Sequence, residues 1–122
     1  MKPAMTKILS VILLFAAAPV AVLAQTNAEM KEEAAELLEE SDKAMNAAYQ
    51  QLLKILGDEG KRRLRESQRA WLTFRDAQAG FDSHHMAGGT GEGLERLGSL
   101  NQLTEERTER LKEDYKRFKE LL

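Results

Sequence analysis

Both histidines of this 122-residue chain stand side by side in Asp82-Ser83-His84-His85-Met86, where imidazole and thioether are ligand types that suit copper. Adjacent helical positions point their side chains apart, and there is no third histidine to complete a site. The segment therefore reads as the polar start of a loop, and no metal ligands are assigned. Nucleophilic chemistry has no foundation either: the chain has no cysteine, no Ser-His-Asp order in a meaningful context and no zinc-ligand spacing. Its carboxylates are numerous but sit in helical stretches among basic neighbours, with no sign of a pocket. The expectation is a protein that binds rather than catalyses, without a cofactor.

Ser67-Gln68-Arg69-Ala70-Trp71-Leu72-Thr73-Phe74-Arg75-Asp76 is the other segment dense in functional side chains, and it contains the only tryptophan. On a helix Gln68 lies one turn before Trp71 and Arg75 one turn after it, so the three share a face. If that face is internal, Arg75 needs a carboxylate. Asp76 is badly placed to provide one because neighbouring helical residues diverge, which leaves Asp42 or Glu105 on another helix. The predicted arrangement is a clamp in which Trp71 is buried, Gln68 bonds across helices and Arg75 ties the elements together. Exposed, the same residues would form a contact patch, since tryptophan and arginine dominate interface energetics.

Three long helices with almost no strand are expected to carry these groups. Thr26-x-x-Glu29 has the form of a capping box, and from there Met30, Ala34, Leu37, Ala44, Ala48, Leu52 and Leu56 keep a 3-4 spacing. Ser41 fills the gap in that line, and Leu38, Met45, Tyr49, Leu53 and Ile55 widen it. The first helix ends at Gly57, and Asp58 stands where an N-cap is expected. The second helix carries Leu64, Trp71, Leu72, Phe74, Ala77, Ala79 and Phe81. Glycines at 88, 89, 91 and 93 mark a flexible connection, after which Thr90 is placed to cap a helix. The apolar positions of this third helix are Leu94, Leu97, Leu100 or Asn101, Thr104, Leu111, Tyr115, Phe118 and Leu122. The fold class is all-α, as an elongated antiparallel three-helix bundle or an extended helical hairpin.

The first 24 residues are set apart from that fold. Lys2 and Lys7 form a positive n-region, Ile8 to Ala18 an apolar h-region, and Val22-Leu23-Ala24 a signal-peptidase site. Residues 1–24 are expected to be a cleaved signal peptide and residues 25–122 a single helical domain, periplasmic or secreted. The apolar run falls short of the ~20 residues that span a bilayer, so no stable membrane anchor is expected after cleavage.

Read together, Met45-Asn46 with Tyr49, Gln68-x-x-Trp71-x-x-x-Arg75-Asp76, Gly88-Gly89-Thr90, and Leu103-Thr104 with Arg107-Thr108 form an ordered pattern over Ala28 to Leu111. In that order and spacing the chain resembles the LprI-like lysozyme inhibitor family of small exported helical proteins. The resemblance implies a protein-binding role, with lysozyme as partner. The family pattern usually carries cysteines, and by position these fall near Glu33, Ala79 and Ser99. This chain must be stabilised by helix packing alone.

Charge bears on which partner such a role would involve. Removing Lys2 and Lys7 from 18 basic residues leaves 16 against 20 acidic ones, a net charge of −4, which argues against nucleic acid. Seven acids between Asn27 and Leu56 make the first half of helix one an acidic rod, with Glu32, Glu33, Glu36 and Glu40 on it. Such a rod is either a solvated face or a surface that steers a basic partner such as lysozyme. The basic cluster Lys61, Arg62, Arg63, Arg65 and Arg69 is expected to be neutralised internally by Glu59, Glu66 and the acidic helix. Lysozyme cleaves with two carboxylates in an open cleft. On the implied role the Gly88–Gly93 loop is the segment small enough to enter it, with Gly88, Gly89 and Thr90 at its tip and Arg96 or His85 supplying positive charge. The competing expectation is a helical adaptor of the cell envelope, bound to another exported protein and without action on lysozyme; the oligomeric state is open.

Overall fold

The computed structural model describes residues 20–122, with side chains from residue 26 onward. The leader expected over residues 1–24 lies almost wholly outside the described residues. Helix α1 spans Val20–Ile55, α2 Asp58–Ser83 and α3 Glu92–Leu121, with a single 3-10 turn at His84–Met86 between α2 and α3. At 1.5 Å per residue the 36 residues of α1 rise about 54 Å, so the molecule is a rod, as the long periodic runs predict. No helix among the described residues is long and apolar enough to cross a membrane.

Side-chain pairings fix the directions. Asp82 of α2 meets Ser99 of α3, Arg75 meets Thr104 and Gln68 meets Arg107, so α2 and α3 are antiparallel. Ser41 meets Asn101 while Leu52 and Leu111 share the core, so α1 and α3 run parallel. The order is up, down, up. α3 is the central element, because α1 and α2 each pack against it far more than against each other.

Several expected helix ends need correction. Thr26 does not start a helix in the described chain, because Val20–Ala24 contain nothing that stops helical propagation and α1 runs through them. The N-cap of α2 is Gly57, in extended conformation, so Asp58 is the first helical residue and acts through its charge on the helix dipole. α3 is preceded by Gly91 with no side-chain cap, so Thr90 does not cap it.

The core departs from the most apolar line of α1. Ser41, Met45, Ala48 and Leu52 are buried there, with Ala34 and Leu38 half-buried, whereas Met30, Leu37 and Ala44 are exposed. The buried line keeps Ala34, Ser41, Ala48 and Leu52 of the expected one and shifts by one residue from Leu37 to Leu38 and from Ala44 to Met45, because α1 faces α2 and α3 at once, through Met45 and Ser41 respectively. Leu64 of α2 and Leu111 of α3 complete the cluster, with Tyr49, Leu53, Ile55, Leu56, Trp71, Leu72 and Tyr115 packed around it. On α2 the expected core residues Phe74 and Phe81 are exposed at 52% and 66%, and Gln68 and Ser83 are buried instead.

Buried hydroxyls make that polar core tolerable. Thr104, Thr108 and Ser83 each bond the backbone carbonyl four residues earlier, at 2.7, 3.0 and 2.8 Å. Each thus satisfies its donor within its own helix and lets its methyl or methylene pack. Among the described residues no buried side-chain polar atom lacks a partner.

Candidate functional site

The tryptophan segment of α2 forms a polar ladder across all three helices. Arg75 Nη1 donates to Asp42 Oδ1 of α1 at 2.9 Å and, more weakly, to Thr104 Oγ1 of α3 at 3.4 Å. Asp42 is thus the carboxylate that Arg75 requires, while Glu105 accepts from Asn101 on its own helix. Asp76 also serves Arg75, at 3.1 Å through Nε, so the expectation that an adjacent residue cannot reach fails. The long guanidinium turns back along the helix surface and meets a short carboxylate beside it.

One turn earlier, Gln68 is buried and fully engaged. Its Nε2 donates to Met45 Sδ at 3.6 Å, and its Oε1 accepts from Arg107 Nε at 3.0 Å. Arg107 also donates to Ser67 Oγ at 3.3 Å. Trp71 lies between these rungs, half-buried against the core, with the guanidinium carbons of Arg75 and Arg107 at 5.5 and 5.8 Å from its ring centroid. Burial pushes the Arg107 guanidinium below its ordinary value, which the Asp114 charge opposes. It stays a cation, since guanidinium does not deprotonate in proteins. Arg75 and Gln68 thus bond across helices, while Trp71 is a flank of the core rather than its centre. Arg107 is the rung that periodicity alone could not reveal, because a charged residue on a helix reads as solvent-facing.

The connection after α2 is a pinned turn rather than a loose loop. Gly88 has φ +78°, which a side chain resists, and its N–H donates to Glu92 Oε2 at 3.2 Å. Gly89 N–H bonds Met86 O at 2.9 Å, and a Cβ on Gly91 would strike the Met86 methyl. Thr90 stands exposed at its tip. Arg96 lies one turn into α3, half-exposed and 3.9 Å from Glu92. His84 is used locally, with Nδ1 at 2.7 Å from the Phe81 carbonyl, and the Asp82 carboxylate takes Ser99 and Gln78.

The acidic half of α1 starts beside this turn, since Gly93 lies against the Lys31 side chain. Glu32, Glu33, Glu36 and Glu40 are exposed, and none joins an ion pair among the described residues. Glu40 continues into an open groove of about 570 Å³ between α1 and α3, whose wall includes Leu37, Ala44 and Glu105.

The basic cluster of α2 divides in two. Arg62 and Arg63 are paired with Glu59 and Glu66 at 2.6 to 2.9 Å, and the two arginines hold the Glu59 carboxyl below its ordinary range. Lys61, Arg65 and Arg69 have no ion pair among the described residues, so internal neutralisation holds for only part of the cluster. The glutamates of α1 lie further along the rod and do not reach them.

Comparison with curated proteins and with solved structures gives no match. The family described as lysozyme inhibitor LprI matches residues 20–111, a span that contains the whole polar ladder and the glycine turn, and the chain belongs to that family.

Proposed function

We propose that the protein is exported, cut after Ala24, and inhibits a lysozyme by binding it. The observation that carries this reading is the family match across residues 20–111. The geometry supports it in two ways. Hydrogen bonds from Gly88 to Glu92 and from Gly89 to Met86 restrict the turn, so less conformational freedom is lost on entering a cleft. Thr90 at its tip supplies a free hydroxyl, and Arg96 or His85 lies nearby to meet the catalytic carboxylates of the enzyme. The exposed glutamates of α1 begin at the same end, where they draw a basic lysozyme toward the turn.

The test is turnover of cell-wall substrate by a basic lysozyme with increasing amounts of the purified protein. Inhibition that saturates at a fixed stoichiometry is expected. No slowing at micromolar protein removes the inhibitor reading for this chain and leaves the envelope adaptor, to be pursued by crosslinking in cells. Mass measurement on the exported material should give a chain starting at Gln25; an intact Met1 in the membrane fraction would refute processing.

A further inference from the structure

We propose that the groove between α1 and α2 binds an acidic helical segment of a protein partner, with carboxylates one turn apart held by Arg65 and Arg69. This inference does not depend on lysozyme inhibition. The groove, of about 470 Å³, exists because α1 and α2 both pack on α3 and leave a furrow between themselves. Half-buried Leu72 and the Tyr49 ring provide its apolar surface over buried Met45, and Asn46 and Tyr49 of α1 face Arg65 and Arg69 of α2 along it.

What singles the groove out is the state of its polar groups. Arg75, Gln68 and the Asp42 carboxylate also line it, but the ladder described above already engages them, and Arg75 neutralises Asp42. The Asn46 amide, the Tyr49 hydroxyl and the guanidinium groups of Arg65 and Arg69 have no hydrogen bond or ion pair among the described residues. Two cations, an amide and a hydroxyl around an apolar surface select an anionic ligand with some hydrophobic body.

Spacing and charge choose among anions. Arg65 and Arg69 are i and i+4 on a helix, about 5 to 6 Å apart at Cβ, which is the spacing of two glutamates one turn apart on an opposing helix. The α1 wall runs about 10 Å and the α2 wall about 15 Å, two to three helical turns, so a short helix can lie in the furrow and complete a four-helix cross-section. A long polyphosphate would leave the furrow and meet the unpaired glutamates of α1 on a chain whose net charge is already negative. Such a ligand is repelled at the distances where a short acidic helix is not.

The experiment measures fluorescence anisotropy of a fluorescein-labelled helical peptide with glutamates at i and i+4 flanked by leucines, titrated with the full-length purified protein. The proposal expects saturable binding that the double substitution Arg65→Gln/Arg69→Gln weakens about tenfold or more. Arg62→Gln/Arg63→Gln removes the same charge from the same helix outside the groove and should change affinity less than about twofold. Circular dichroism melts of both variants establish that the fold is kept. Equal loss from the two double variants would show general charge attraction and overturn the site, as would tighter binding of a single-stranded oligonucleotide than of the peptide. Absence of saturable peptide binding overturns it outright.

Discussion

Arg75 on α2 reaches Asp42 on α1 across 2.9 Å although those two helices scarcely pack on one another. The pair is therefore the main polar strut between elements that otherwise communicate through α3. With 15% of its side chain exposed, Arg75 is nearly desolvated, whereas Asp42 at 39% keeps contact with water. Loss of the acid would leave a nearly buried cation with only the exposed Asp76 carboxylate and the weaker Thr104 hydroxyl as partners.

Asp42→Ala should cost about 1 to 2 kcal/mol of stability, discounted for its partial exposure. Arg75→Lys should cost about 1 kcal/mol, because an ammonium can pair with Asp42 but cannot also span Asp76 and Thr104. Urea titrations of the single variants and of Asp42→Ala/Arg75→Ala give the coupling directly. A coupling energy near zero would show that the contact is incidental.

Trp71→Ala should destabilise by about 2 to 3 kcal/mol, less than for a fully buried ring because one flank is left to the guanidinium groups of Arg75 and Arg107. As the only tryptophan, Trp71 reports on itself: Arg107→Met should shift its emission while leaving helicity intact. An unchanged melting temperature in Trp71→Ala, with partner binding lost, would move the residue from the clamp to an interaction surface.

Hydrogen bonds from Ser99 and Gln78 hold the Asp82 carboxyl below its ordinary value of 3.8. The unfolded chain then takes up this proton more readily than the folded one. The stabilising contribution is complete above the ordinary value and is lost as pH falls through the lower folded-state value. Asp82→Asn should flatten the acid limb of a stability profile in that window and loosen the end of α2 against α3. Denaturation midpoints measured on either side of the ordinary value test this; parallel acid limbs in the two proteins would assign the sensitivity to other carboxylates.

The helices were legible because their 3-4 periodicity is long, and the clamp because Gln68, Trp71 and Arg75 share a face by spacing alone. Which of two neighbouring stripes faces inward was not. Leu37 and Met45 belong to adjacent lines on α1, and only the position of α2 decides that Met45 is covered and Leu37 is left in a groove. Phe74 and Phe81 mislead for the same reason, since hydrophobicity says what prefers burial and not whether a helix exists to bury it. Ser83 was hard to place because back-bonding to its own helix hides a polar group that composition assigns to water, whereas Thr104, which spacing sets on the inward stripe, is buried in the same way. The pinned turn lay beyond reach because it depends on Met86 and Glu92 closing on glycines that by themselves suggest freedom.

The last prediction separates steering from docking. Reversing Glu32, Glu33, Glu36 and Glu40 to lysine touches no ion pair among the described residues, so stability should change by less than about 0.5 kcal/mol per site. Association with a basic lysozyme should slow by about tenfold at low ionic strength, with dissociation little altered. Raising salt should erase the difference, because exposed charges are screened beyond about 8 Å at physiological ionic strength. Gly88→Ala acts in the opposite manner. A methyl at φ +78° costs about 1 kcal/mol of strain and distorts the turn, so it should speed dissociation and leave the on-rate intact. Stopped-flow association and dissociation rates resolve the two effects. Equal on-rates for the wild-type and charge-reversed proteins at low salt would remove the acidic face from recognition, and an unchanged off-rate in Gly88→Ala would remove the turn.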